Sequence, residues 1–213
     1  MKKRIFKWEN AVPKILIVVI VYLCYLFVPL TRQPVKIGAT YMTMNNTFYT
    51  VINDEIRKRT DANGDVLKTL NPALSIKKQC QQIETFIRED FDVIVINPVS
   101  DNSKMLNSAL KKARACGIKI IAVDSQLKET KNVDCTIVSD NYNAGVLCAK
   151  DIMKNMSEAK IVLLKNWNAL SVKDRYQGFS DTIKGKPNYR IVEQVETLGQ
   201  TEIAMPKMQE TIS

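Results

Sequence analysis

Two short segments hold the residues best suited to chemistry in this chain of 213 residues: Thr43-Met44-Asn45-Asn46-Thr47-Phe48-Tyr49 and Ile121-Ala122-Val123-Asp124-Ser125-Gln126. Each follows an apolar run that reads as a buried strand. Each sets amide, carboxylate or aromatic side chains where that strand ends. In an open parallel sheet, ligands bind in the crevice beyond the carboxyl ends of the strands. Asn46, Phe48, Tyr49 and Asp124 arriving there suit a small polyhydroxylated molecule. The C–H face of such a molecule stacks on rings, and its hydroxyls need fixed donors and acceptors.

Other chemistries lack their residues. The chain has no His, which removes the commonest general base and the commonest metal ligand. There is no GxGxxG, Walker-type loop or GxSxG, so no enzyme is expected. No cofactor is expected either. The five Cys are widely spaced without a CxxC, which argues against metal binding and structural disulfides. Cys80, Cys116, Cys135 and Cys148 are expected to be buried free thiols. Of the net charge of +9, residues 1–34 supply more than half, with six basic residues against Glu9. The rest of the chain shows no basic cluster or groove-reading helix, so no nucleic-acid partner is expected.

The uninterrupted apolar run Ile15–Leu30 follows basic residues and precedes Arg32. A cleaved signal peptide wants small residues at the cut, and Leu26 to Leu30 offers none. A lipoprotein signal would use Cys24, but Leu23 before it is too bulky. The expectation is a cytoplasmic basic segment over 1–14 and an uncleaved single-pass transmembrane anchor over 15–32, N-terminus inside.

The elements that must position the two segments follow by period. Strands are expected at 35–41, 65–70, 92–97, 119–123, 135–139, 160–164 and 190–195. Helices are expected at 47–60, 75–88, from Ser100 or Asp101 to Gly117, then at 141–156, 172–183 and from 201 onward. This alternation with continuous apolar strands predicts an α/β fold, a parallel sheet covered on both faces. The chain ends on a helix just begun, so a longer protein is expected.

Five segments, in order and at matching spacing, carry a resemblance. They are Asn45-Asn46-Thr47-Phe48-Tyr49, Val93-Ile94-Val95-Ile96-Asn97-Pro98, Val123-Asp124-Ser125, Ser139-Asp140-Asn141 and Asp174-Arg175-Tyr176-Gln177-Gly178-Phe179. Over about residues 35–213 the chain resembles periplasmic sugar-binding proteins of the ribose/galactose type, the type I bilobal receptors of ABC transporters. Lactose-repressor-like regulators share that effector fold. The resemblance implies two doubly wound parallel-sheet lobes. The first spans 35–137 and the second, incomplete, 138–213, with a hinge crossing near 137–139.

It implies that Asn46, Phe48 and Tyr49 line the first lobe's side of a sugar pocket. Asp124 would accept from sugar hydroxyls, and Arg175 would reach in from the second lobe. Ser125 stands where ribose-type binders often carry Arg and offers fewer donors. Asn97 falls near the cleft, and Trp167 is a candidate second stacking platform. Asp140 and Asn141 read as a helix cap at the hinge. The function implied is an extracellular or periplasmic receptor for a small sugar or polyol, serving an ABC transporter permease. A sensing ectodomain feeding a sensor kinase or chemotaxis system shares every residue argument. A regulator's effector domain would need a DNA-binding segment where the apolar run lies.

Overall fold

The computed structural model describes residues 12–27 and 32–212. It divides into residues 1–34 and residues 35–213. In the first, helix α1 runs Val12–Phe27, 16 residues. Its side chains from Ile15 to Leu23 are all 46–67 % exposed. The helix is therefore apolar on every described face. At about 1.5 Å per residue its 16 described residues rise roughly 24 Å. Among the described residues no helix is long and apolar enough to cross a membrane. The expected span over 15–32 is thus not reproduced, and its residues 28–31 lie outside the described ones.

From residue 35 onward the chain alternates strand and helix. Its order is β1 (Lys36–Thr40), α2 (Thr47–Asn63), β2 (Val66–Leu70), α3 (Ile76–Arg88), β3 (Val93–Ile96), α4 (Lys104–Ala115), β4 (Lys119–Val123) and β5 (Cys135–Ile137). There follow α5 (Asn141–Asn155), β6 (Ala159–Lys165), α6 (Leu170–Ile183), β7 (Tyr189–Glu196) and α7 (Thr201–Ile212). The first five strands make one sheet in the order β2-β1-β3-β4-β5, parallel throughout. β6 and β7 make a second, parallel pair. This is a doubly wound α/β fold with its strand ends on one edge of each sheet.

Side-chain chemistry sets the boundaries. Asn46, Ser75, Ser103 and Asp140 cap α2, α3, α4 and α5 by accepting from backbone N–H groups of the first turn. Gly64 ends α2 in the left-handed conformation, φ 71°. The cap of α4 is Ser103, not Ser100 or Asp101. Asp101 is drawn away by an ion pair with Lys173 of α6.

Leu106, Leu110, Ile83 and Phe86 of α4 and α3 pack on one face of the five-stranded sheet against Ile94, Ile96 and Ile120. Gly38 of β1 is where a side chain would collide, since a Cβ there would sit 2.7 Å from the Phe86 ring. The opposite face packs Tyr41, Val95 and Val123 beneath Tyr49 of α2. Ala169 and Val172, at the start of α6, join that same cluster. The apolar core thus bridges from the first sheet to the element that carries Arg175. Of the four cysteines described, Cys80 is buried as expected, whereas Cys116, Cys135 and Cys148 are exposed. Cys116 sits at the C-cap of α4.

Candidate functional site

Asn46, Phe48, Tyr49, Asp124 and Arg175 line one cavity of about 290 Å³, together with Met42, Asn166, Ser171, Val172 and Gly199. It lies beyond the carboxyl ends of β1 and β4 and against the first turns of α6. A larger hollow of about 620 Å³ lies at the other end of β6 and β7, lined by Met156, Lys160 and Arg190 among others. None of the candidate residues reaches it.

Asp124 follows β4 with φ 64°. That left-handed backbone is sparsely populated by non-glycine residues, with Asp and Asn the most tolerant. The turn is held by the Asp124 N–H donating to the Ile137 carbonyl at 2.8 Å. The Tyr49 hydroxyl donates to Asp124 Oδ2 at 3.2 Å, and Asn97 Nδ2 donates to the same oxygen at 3.2 Å. Burial raises the Asp124 carboxyl above its ordinary value, opposed by the Tyr49 hydrogen bond, the Arg175 charge and Asn97. Burial and the adjacent carboxylate also hold the Tyr49 phenol well above its usual range.

Tyr49 stacks on Tyr41, ring centroids 5.9 Å apart, and meets Phe48 edge-on at 5.6 Å. Burial pushes the Tyr41 phenol up to about 12, so it remains an uncharged support. Phe48 is 52 % exposed and presents its ring to the opening. Asn46 spends its Oδ1 on the Phe48 N–H at 2.9 Å, which leaves its amide –NH2 for the cavity. Arg175 lies on α6, and its Nε donates to Asn141 Oδ1 at 2.8 Å. That bond fixes the guanidinium and leaves its two terminal nitrogens as donors.

Three candidates stand elsewhere. Asn97 is fully buried beneath the cavity rather than lining it. Its Oδ1 accepts from the Met42 N–H at 3.2 Å, and its Nδ2 also reaches the Val123 carbonyl at 3.1 Å. It therefore ties together the ends of β1, β3 and β4 and props Asp124. Ser125 is fully buried too, and its Oγ accepts from the Ser171 N–H at 3.4 Å. The left-handed turn at Asp124 carries Ser125 out of the strand and into the packing against the start of α6.

Trp167 is 52 % exposed and does not line the cavity. It stacks on Tyr176 at 5.8 Å, with the Lys165 ammonium 3.6 Å from its ring. Sequence reasoning missed Asn141 as the partner of Arg175, having read it as a cap; the cap is Asp140. It also missed Asn166 in the cavity lining and the ion pair of Asp101 with Lys173 at 2.6 Å.

Residues 37–213 match the family model described as a periplasmic binding protein domain. The chain belongs to that family. It is 26 % identical over 150 residues to the ribose import binding protein of Bacillus subtilis, covering 70 % of this chain and 48 % of that protein. It is 26 % identical over 161 residues to the D-apiose import binding protein of Actinobacillus succinogenes, 74 % of this chain and 51 % of that one. A solved ABC transporter solute binding protein from Mycobacterium smegmatis with bound glycerol has a TM-score of 0.78 at 27 % identity, covering 84 % of this chain and 62 % of that one.

The resemblance read from five segments therefore holds, and the fold is that of the type I receptors. The family is one of binding proteins, not enzymes. The chain spans about half the length of the curated relatives it matches.

Proposed function

We propose that this chain is the recognition part of a periplasmic or extracellular receptor for a small sugar or polyol, serving an ABC transporter. The observation that carries this is the cavity itself. It brings the aromatic faces of α2, a carboxylate from the end of β4 and a guanidinium from α6 to one space of about 290 Å³. Phe48 and Tyr49 offer the stacking surface for a sugar's C–H face. Asp124 offers an acceptor, while Arg175, Asn46 and Asn166 offer donors. Charge-assisted hydrogen bonds are the stronger kind, and a site built to satisfy each hydroxyl rejects analogues lacking one. Relatives named for ribose, apiose and xylose support a monosaccharide. In this reading the basic, apolar N-terminal segment directs the domain to the outer side of the cytoplasmic membrane.

A thermal-shift screen tests this against D-ribose, D-xylose, L-arabinose, D-apiose, D-galactose, D-allose, myo-inositol and glycerol. A ligand that binds only the native state raises Tm by mass action. One or a few sugars are expected to raise Tm, and Asp124→Ala and Arg175→Ala are expected to abolish the shift. No shift with any of them would sink the sugar reading.

A further inference from the structure

We propose that the Tyr49 hydroxyl sets specificity by occupying one oxygen of the Asp124 carboxylate, so that Asp124 reads a single ligand hydroxyl instead of a vicinal pair. The proposal rests on the reading of this cavity as a sugar site.

An ionised carboxylate accepts through two oxygens, with about four lone-pair directions. Two adjacent hydroxyls can use both oxygens at once. Here Oδ2 already accepts from Tyr49 Oη and from Asn97 Nδ2, each at 3.2 Å. Among the described residues nothing donates to Oδ1.

The carboxylate cannot easily turn to exchange its oxygens. Asn97 is held by Met42 and Val123. Behind it, buried Gln79 donates to the Asn97 carbonyl at 2.9 Å and accepts from the Val99 N–H at 2.9 Å. The Tyr49 ring is held equally well by Tyr41 and Phe48. A phenylalanine at 49 would keep that stacking and differ by one oxygen. That oxygen is therefore not needed to place the ring. Among the described residues it donates to Asp124 Oδ2, the group that reads the ligand, with the buried Asn97 amide beside both.

The groups that face Asp124 are Tyr49 from α2, Asn97 from the end of β3 and Arg175 from α6. Arg175 is tied through Nε to Asn141 and answers to other ligand oxygens. Tyr49 thus limits the acceptor side of the cavity without reducing its donors.

The test is Tyr49→Phe in the full chain, with two readouts. The first is carboxyl NMR of the 13C-labelled aspartates as pH is varied, with the Asp124 signal assigned by its loss in Asp124→Asn. The Tyr49 hydrogen bond favours the ionised carboxylate, so Tyr49→Phe is expected to move the Asp124 titration to higher pH. An unmoved titration overturns the proposal, whatever the ligand. The second is calorimetry with D-ribose against 2-deoxy-D-ribose and D-galactose against 2-deoxy-D-galactose. Tyr49→Phe frees a second acceptor for the vicinal hydroxyl, so the preference for the full sugar over its deoxy form should grow by about tenfold for a charge-assisted bond. An unchanged ratio, or a uniform loss of affinity, overturns the specificity role. If the wild type binds a sugar of the thermal-shift screen outside these two pairs, that sugar and its deoxy form replace them; if it binds no sugar of the screen, the sugar reading falls and takes this role with it. The titration then still reports separately whether Tyr49 holds the carboxylate.

Discussion

Asp124 sits where its own stability is worst and its usefulness greatest. Its backbone lies at φ 64°, and burial raises its carboxyl above the ordinary range. The sign follows from linkage. A carboxyl whose folded value exceeds its unfolded one favours the fold at low pH, and that contribution is lost as pH rises through the folded value. Asn tolerates the same backbone and carries no charge to desolvate. Asp124→Asn is therefore expected to raise Tm at pH 7, with the gain shrinking as pH falls toward 4, while it weakens sugar binding. Thermal melts across pH check this; an unchanged or lowered Tm at pH 7 would show that burial does not strain the carboxylate.

Asp124 and Tyr49 were legible in the sequence because polar and aromatic side chains stand out at the end of an apolar strand. The directions of Asn97 and Ser125 were not. Residue type places a side chain at a strand end, but the local backbone decides whether it faces the cleft or the sheet below.

At the scale of elements, the position of Arg175 depends on how closely α5 and α6 approach. A Cβ on Gly178 would fall on the Tyr142 carbonyl of α5, and one on Gly145 would fall on the Arg175 carbonyl of α6. Gly178→Ala should force the helices apart and destabilise the chain by about 1–3 kcal/mol, the usual range for overpacking. It should also separate Arg175 from Asn141, so affinity falls along with stability. Urea unfolding with parallel ligand titration checks both. A variant of wild-type stability would mean the helices pack with room to spare.

A second link joins the loop after β3 to α6. Lys173 pairs with the buried Asp101 at 2.6 Å, and the Asp101 N–H donates to the Asn168 carbonyl at 3.1 Å. Lys173→Met strands a buried carboxylate. Because Lys173 is partly exposed, the expected loss is about 1–2 kcal/mol, below that of a fully buried pair. Small-angle scattering should then show a larger radius of gyration for the unliganded variant. An unchanged radius would mean the apolar contact through Ala169 and Val172 holds α6 alone. This ion pair was invisible in the sequence because its partners are 72 residues apart. Asp101 also looked like a helix cap, as any Asp before a helical pattern does.

For the whole molecule, order came through more clearly than contact. Alternating apolar strands and 3.6-period helices placed the elements of residues 35–212 within a few residues, because both periods survive in a single sequence. The parallel sheet followed from that alternation. The N-terminal run was less legible. Its composition suggested a membrane span over 15–32, whereas among the described residues no helix is long and apolar enough to cross a membrane, and residues 28–31 lie outside them. The cavity is likewise a property of the whole. Its walls come from the ends of β1 and β4, from α2 and from α6, and no segment of sequence contains it.

The account stands or falls on whether both walls hold one ligand. The decisive measurement is calorimetric titration of the sugar that gives the largest thermal shift, on wild type, Asp124→Asn, Arg175→Met and the double variant. Each single variant is expected to weaken binding at least about tenfold, as loss of a charge-assisted hydrogen bond should, and the double variant to bind no detectable sugar. Unchanged affinity in either single variant would contradict the account, because that side chain would then line the cavity without touching what it binds.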